Sequence, residues 1–284
     1  MNKIAIITDS TASLPDEFVK KYDIRVVPQH IIWGTEDLKD MVDIQASTFY
    51  SRLTTDPVHP KTSQPPAAEF VEFLNAAKKD GAKEVLICTV SEPLSGTYAS
   101  ANQAKEKVDF NVRVHDSRSA AMGLGWQVVA AARAREAGAN LDGMAAAAEK
   151  ARGHQMTVLA MDTLVFLHRG GRIGGAARLI GTALNLKPQL VIDPVSGKVE
   201  PGERTRTRKK AIDAAWNACF AKMDTTKPLH VAIHHANAEA DCKDLFDRVK
   251  QEYPKAEVVM TELTPVLGVH GGPGMLALCG CYDA

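Results

Sequence analysis

A chain of 284 residues exceeds the usual single-domain size of about 100 to 200 residues, so two packed domains are expected. With 45% hydrophobic and 24% charged residues the composition is that of a globular protein, which excludes a largely disordered or collagen-like chain. Thirty-four Lys and Arg balance 34 Asp and Glu, so no global positive field draws the chain to nucleic acid or to anionic membranes.

Met1-Asn2-Lys3 and the brief apolar run after it are too short for a signal peptide, and no apolar stretch approaches the roughly 20 residues of a membrane span. A cytoplasmic location is expected. The five cysteines are an odd number without framework spacing, which fits a reducing compartment. Cys279-Gly280-Cys281 puts both thiols on one face of a strand and reads as structural.

Residues 4–8, 84–90 and 112–115 read as strands, each followed by a helical segment, with helices over 70–79, 98–107 and 120–136. This alternation builds a parallel α/β sheet. Residues 24–33 form a longer β-rich run. The Ala-rich helix 141–152 and the strand 157–161 lead into a Gly-rich stretch, after which the pattern changes. A domain boundary is therefore expected near residue 160, giving domains 1–160 and 161–284. The second carries strands at 189–193, 198–204, 229–235, 256–261 and 275–282 and helices at 208–223 and 239–252. This is an α+β pattern with a mostly antiparallel sheet, and Pro194-Val195-Ser196-Gly197 supplies a hairpin turn.

Six polar or Gly-rich segments interrupt the apolar pattern. Thr8-Asp9-Ser10-Thr11 ends the first strand, where open α/β sheets bind ligands, and Asp-Ser-Thr is equally an N-cap. Thr62-Ser63-Gln64-Pro65-Pro66 sets two hydroxyls ahead of a proline-initiated helix, a suitable place for an anion. Leu94-Ser95-Gly96-Thr97-Tyr98 repeats that design at the same sheet edge, with Ser95 as a cap and Gly96 leaving room for a ligand. Either alone is ordinary capping, whereas the two together favour a shared ligand with an oxygen-rich head. His115-Asp116-Ser117 buttresses the same edge.

In the fifth segment, His168 to Gly175, guanidinium groups combine with four glycines, which suits oxyanion contact or a tight interdomain crossing. The sixth, Val269-His270-Gly271-Gly272-Pro273-Gly274, holds a histidine in a turned glycine loop aimed at an interdomain cleft. Separately, the basic run from Arg204 to Lys210 places Arg at a helix start against the macrodipole, which suits a phosphate or an acidic partner.

In this order, Ile7-Thr-Asp-Ser-Thr-Ala12, Thr62-Ser-Gln-Pro65, Leu94-Ser-Gly-Thr-Tyr98, Asp116-Ser117, Gly170-Gly-Arg-Ile173, Arg206-Thr207 and His270-Gly-Gly-Pro-Gly274 resemble the DegV family over nearly the whole chain. The resemblance implies a Rossmann-like N-terminal domain, a C-terminal α/β domain, and a long-chain fatty acid such as palmitate, stearate or oleate between them. It implies that the hydroxyls of Thr62 and Ser95 hold the lipid carboxylate with His270 close by. Ser63, Gly96, Thr97, Arg172, Gly271 and Gly272 are expected to support this site. It further implies a carrier without catalysis, metal or cofactor of its own. Such a carrier hands its acid to a separate fatty acid kinase subunit, faces that partner through Arg206, and is allowed transient contact with a membrane surface.

The chain departs from the family pattern at Met41 after Asp40, at Glu92-Pro93 and at Gly271, which bears on loop shape and acyl-chain preference. The alternative is a serine hydrolase or acyltransferase using Ser95 and His270, but Pro93 stands where G-x-S-x-G needs glycine. A nucleotide site lacks its phosphate loop, since Gly123-Leu124-Gly125 has no third glycine. The adjacent His234-His235 do not have metal-ligand spacing.

Overall fold

The computed structural model describes residues 3–181 and 186–283. Strand β1 (Ile4–Asp9) is buried along its whole length, because a parallel strand is covered on both faces. After helix α1 (Asp16–Lys21), β2 (Ile24–Val27) pairs parallel with β1. The β-rich run expected over 24–33 is two strands in two sheets. Pro28, which has no N–H for a ladder, ends β2, and β3 (His30–Trp33) turns away.

Strand β3 is the centre of a three-stranded antiparallel ribbon with β4 (Glu36–Lys39) and, beyond α2 (Ala46–Thr55), β5 (Lys61–Ser63). Helix α3 (Ala67–Lys79), β6 (Glu84–Thr89), α4 (Thr97–Lys105) and β7 (Asn111–Asp116) then complete a four-stranded parallel sheet in the order β2-β1-β6-β7. Helices α3 and α4 cover one face of it around Phe70, Leu74, Val85 and Ile87.

Helices α5 (Met122–Glu136) and α6 (Leu141–Gly153) follow as a pair. The chain then enters a second sheet through β8 (Gln155–Ala160), α7 (Val165–Arg169), β9 (Gln189–Ile192) and β10 (Val199–Pro201). It completes that sheet through α8 (Arg208–Phe220), β11 (Leu229–His235), α9 (Glu239–Glu252), β12 (Glu257–Glu262), α10 (Pro265–Gly271) and β13 (Leu276–Tyr282). The order is β10-β9-β8-β13-β11-β12, antiparallel at every pair except β11 with β12. The architecture is thus the mixed α/β one expected, a parallel sheet joined to a mostly antiparallel one. Strand β8 ends at residue 160 and pairs with β9 and β13 of the second sheet.

Helices α8 and α9 cover the outer face of the second sheet, and α5 lies between the two sheets in contact with β1, β6, β8 and β13. That position explains its composition. Met122 through Val129 are all buried, so the helix has no polar face to give to water. Gly123 permits the approach, since a Cβ there would stand 2.0 Å from Thr157 Oγ1 and 2.2 Å from Ser119 Oγ. One continuous apolar cluster, including Ile6, Leu86, Trp126, Leu159, Cys279 and Cys281, joins the sheets across this layer. Among the described residues no helix is long and apolar enough to cross a membrane.

Candidate functional site

A cavity lies where the carboxyl end of the parallel sheet meets the second sheet and α10. Most of the wall is apolar, with Leu94, Leu159, Leu167, Ile192, Leu263 and Met275 supplied by loops and strands of both halves. Thr62, Ser95, Arg172 and His270 also line it.

His270 is placed by α10. Pro265 opens this helix at its first turn, and the N–H of Val266 donates to Asp40 Oδ1 at 3.1 Å. Asp40 thereby caps a helix 226 residues away in sequence, while its Oδ2 accepts from Ser10 Oγ at 2.6 Å. Gly268 lets α10 lie against α2, because a Cβ there would come within 2.6 Å of the Phe49 ring. His270 therefore stands on the last helical turn rather than in the expected glycine loop. The turn comes after it, at Gly272 and Gly274, whose φ angles of +71° and +84° favour glycine.

The imidazole Nε2 is 2.9 Å from Thr62 Oγ1. Thr62 lies on β5, not in a loop at the edge of the parallel sheet as expected, so the small ribbon delivers this hydroxyl. Burial, reinforced by the positive charge of Arg172 and by His59, pushes the His270 imidazole down to about 4, so it is neutral at pH 7. Nδ1 has no partner among the described residues. An orphaned buried N–H is costlier than an unused lone pair, which assigns the proton to Nε2. His270 then donates to Thr62, leaving the threonine hydrogen free to turn into the cavity.

Ser95 follows β6 and precedes α4, as the sequence indicates, and its Oγ is 2.8 Å from Thr97 Oγ1. Arg172 closes the same corner. Its Nε donates to the Leu94 carbonyl at 3.1 Å and one terminal nitrogen donates to the Gly170 carbonyl at 2.9 Å. Ser63 and Gly271 line the cavity too. Gly96, Thr97 and Gly272 stand behind it. A Cβ on Gly96 would meet the Gln64 side chain at 3.0 Å, and one on Gly272 would meet Phe166 at 2.1 Å.

Arg206 is exposed and lies apart, in a basic depression with Arg204 and Lys210. Asp9 caps the turn after β1 and accepts from Thr11 Oγ1 at 2.5 Å and Val90 N–H at 2.8 Å, a buried support for the floor. The sequence does not mark Gln29 or Asp40 as site residues, and it marks Gly170 only as part of its Gly-rich segment. A lone Gln after a proline gives no signal of its own, and Gly170 is one of four glycines in its stretch.

The model described as an uncharacterised protein of the DegV family matches residues 3–283. A DegV domain-containing protein of Streptomyces coelicolor is 35% identical over 277 residues, 97% of each chain. The chain belongs to the DegV family. The fold matches that of a fatty-acid-binding DegV family protein from Thermus thermophilus with a TM-score of 0.92 and 31% identity, covering 99% of this chain and 100% of the other. It also matches DegV of Bacillus subtilis, a fatty-acid-binding protein, with a TM-score of 0.90 and 29% identity over 100% of both chains. Among the described residues no group of three or more His, Cys, Asp or Glu could hold a metal ion.

Proposed function

We propose that the chain binds one long-chain fatty acid, such as palmitate, stearate or oleate, with its tail in the apolar cavity and its carboxylate against Thr62, Ser95 and His270. The observation that carries this reading is the contact of Thr62 with His270 on the wall of an otherwise largely apolar cavity. The fatty-acid-binding DegV proteins of Thermus thermophilus and Bacillus subtilis support it. Burial yields roughly 0.8 kcal/mol per CH₂, so about 14 methylenes contribute on the order of 10 kcal/mol before ordering costs. Affinity comes from the tail, and the hydroxyls supply orientation.

The same chemistry supports a cytoplasmic carrier that presents its ligand to a separate kinase. A carboxylate held by neutral donors keeps its charge available to attack a γ-phosphate, forming an acyl phosphate as the bond to the nucleoside diphosphate breaks. The exposed basic depression at Arg206 suits the acidic surface of such a partner. The hydrolase alternative asks for a Ser95–His270 hydrogen bond. Here His270 bonds to Thr62 and Ser95 to Thr97, which favours the carrier.

Organic extraction of the purified protein followed by mass spectrometry tests the reading. A stoichiometric fatty acid is the expected result. An empty extract, together with no uptake of added palmitate or oleate, would overturn it.

A further inference from the structure

Behind Ser95 a chain of buried polar side chains runs back to the end of β1. Thr97 and Gln29 are both buried. Thr97 Oγ1 accepts from Gln29 Nε2 at 2.9 Å, lies 3.4 Å from the Gln29 amide oxygen, and is 2.8 Å from Ser95 Oγ. The Gln29 backbone N–H donates to Ser10 Oγ at 3.0 Å, just beyond the end of β1. The amide nitrogen of Gln29 is the nearer end to the Thr97 hydroxyl, and the shorter contact makes it the donor.

The direction of each hydrogen bond follows. With Nε2 of Gln29 donating to Thr97 Oγ1, the threonine hydrogen is free to go to Ser95 Oγ. The Thr97 backbone N–H, 3.4 Å away, points at the same oxygen. Ser95 Oγ then accepts from Thr97, and its own hydrogen must find an acceptor on the cavity side. Bonds aligned head to tail in this way polarise one another.

We propose that Gln29 and Thr97 are positioning residues for the ligand head group: the path from Gln29 through Thr97 polarises Ser95 so that it presents a hydrogen-bond donor to the cavity. Thr62 is polarised in the same sense by His270. Two hydroxyls with their hydrogens turned inward select an acceptor-only head, an ionised carboxylate, over heads that must donate. This deepens the fatty-acid reading and rests on it.

The test compares two ligands of equal chain length, palmitate and 1-hexadecanol, displacing a fluorescent fatty acid from delipidated protein. The alcohol both donates and accepts, so it is indifferent to the direction of the Ser95 hydroxyl. Thr97→Val keeps the shape and removes the relay, and it is expected to weaken palmitate roughly tenfold with hexadecanol little changed. Thr97→Ser restores the hydroxyl and should restore the ratio.

Gln29→Glu gives a second reading should Thr97→Val fail to fold. The new carboxylate offers only acceptors to Thr97, which reverses the relay and lowers palmitate affinity selectively. Equal losses for both ligands, or no change in their ratio, would overturn the proposal while leaving the lipid reading intact. Wild-type protein that takes up neither ligand would overturn both.

Discussion

Gly170 and His270 share one space: a Cβ built on Gly170 would stand 2.1 Å from the imidazole Nδ1. The fifth and sixth segments of the sequence are therefore one device, in which the absent side chain of the first makes room for the ring of the second. The nearest atom belongs to a ring held by Thr62 on its other side, so the ring cannot yield without losing that hydrogen bond.

Gly170→Ala should therefore displace His270 and leave Thr62 unpolarised. The expected result is a palmitate affinity reduced about tenfold, the loss of roughly one charge-assisted hydrogen bond. Fluorescence displacement measures it. Unchanged affinity would mean that the imidazole has no part in seating the ligand.

The neutral state of His270 predicts a pH dependence. Its folded value of about 4 lies below the ordinary 6.5, so between these values the unfolded chain takes up a proton that the folded one refuses. Its contribution is full above pH 6.5 and is lost as pH falls through 4, on the order of 3 kcal/mol in all. Urea titrations at pH 7.5 and pH 5 should show a smaller loss of stability in His270→Gln than in the parent chain. Parallel losses would contradict the buried neutral imidazole.

Asp40 titrates in the opposite sense. Burial, only partly offset by the Ser10 and Val266 hydrogen bonds, raises its carboxyl from 3.8 to about 7. Its contribution is fully present below pH 3.8 and is lost as pH rises through 7, on the order of 4 kcal/mol. Asp40→Asn is neutral throughout, so it should gain on the parent as pH rises from 5 to 8 in denaturant titrations. A constant difference across that interval would show that the carboxyl titrates normally.

Gly123→Ala probes the layer between the sheets. Its Cβ would collide with Thr157 Oγ1 and Ser119 Oγ, two groups bonded to each other at 2.9 Å. Overpacking of this kind costs about 1 to 3 kcal/mol. Because Thr157 also lines the cavity, palmitate affinity should fall with stability. A variant of parental stability in urea would mean that α5 can move away from β8.

Thr62→Val separates holding the lipid from presenting it. The tail supplies most of the affinity and keeps the site filled even when the head-group contact is lost, so the lipid content after purification should fall less than threefold although palmitate affinity falls about tenfold. Acyl-phosphate formation with a bacterial fatty acid kinase catalytic subunit should fall tenfold or more. Equal loss of both would remove the proposed division between tail and head.

The sequence by itself carried the alternation of strands and helices, the two kinds of sheet, and Ser95 at the carboxyl end of β6, because strand and capping patterns are written in neighbouring residues. It also marked Thr62, Arg172 and His270 as polar interruptions, each a weak signal alone. What only the tertiary structure decided are the relations between distant residues. Thr62 and His270 are 208 positions apart and meet because β5 and α10 pack side by side. Asp40 caps α10 from the far side of the chain, and the proline break before Gln29 turns that side chain behind Ser95. Hydrogen-bond direction and the room left by a glycine depend on what lies across the fold. Local periodicity cannot encode them, since it records which face of an element is buried and not against what.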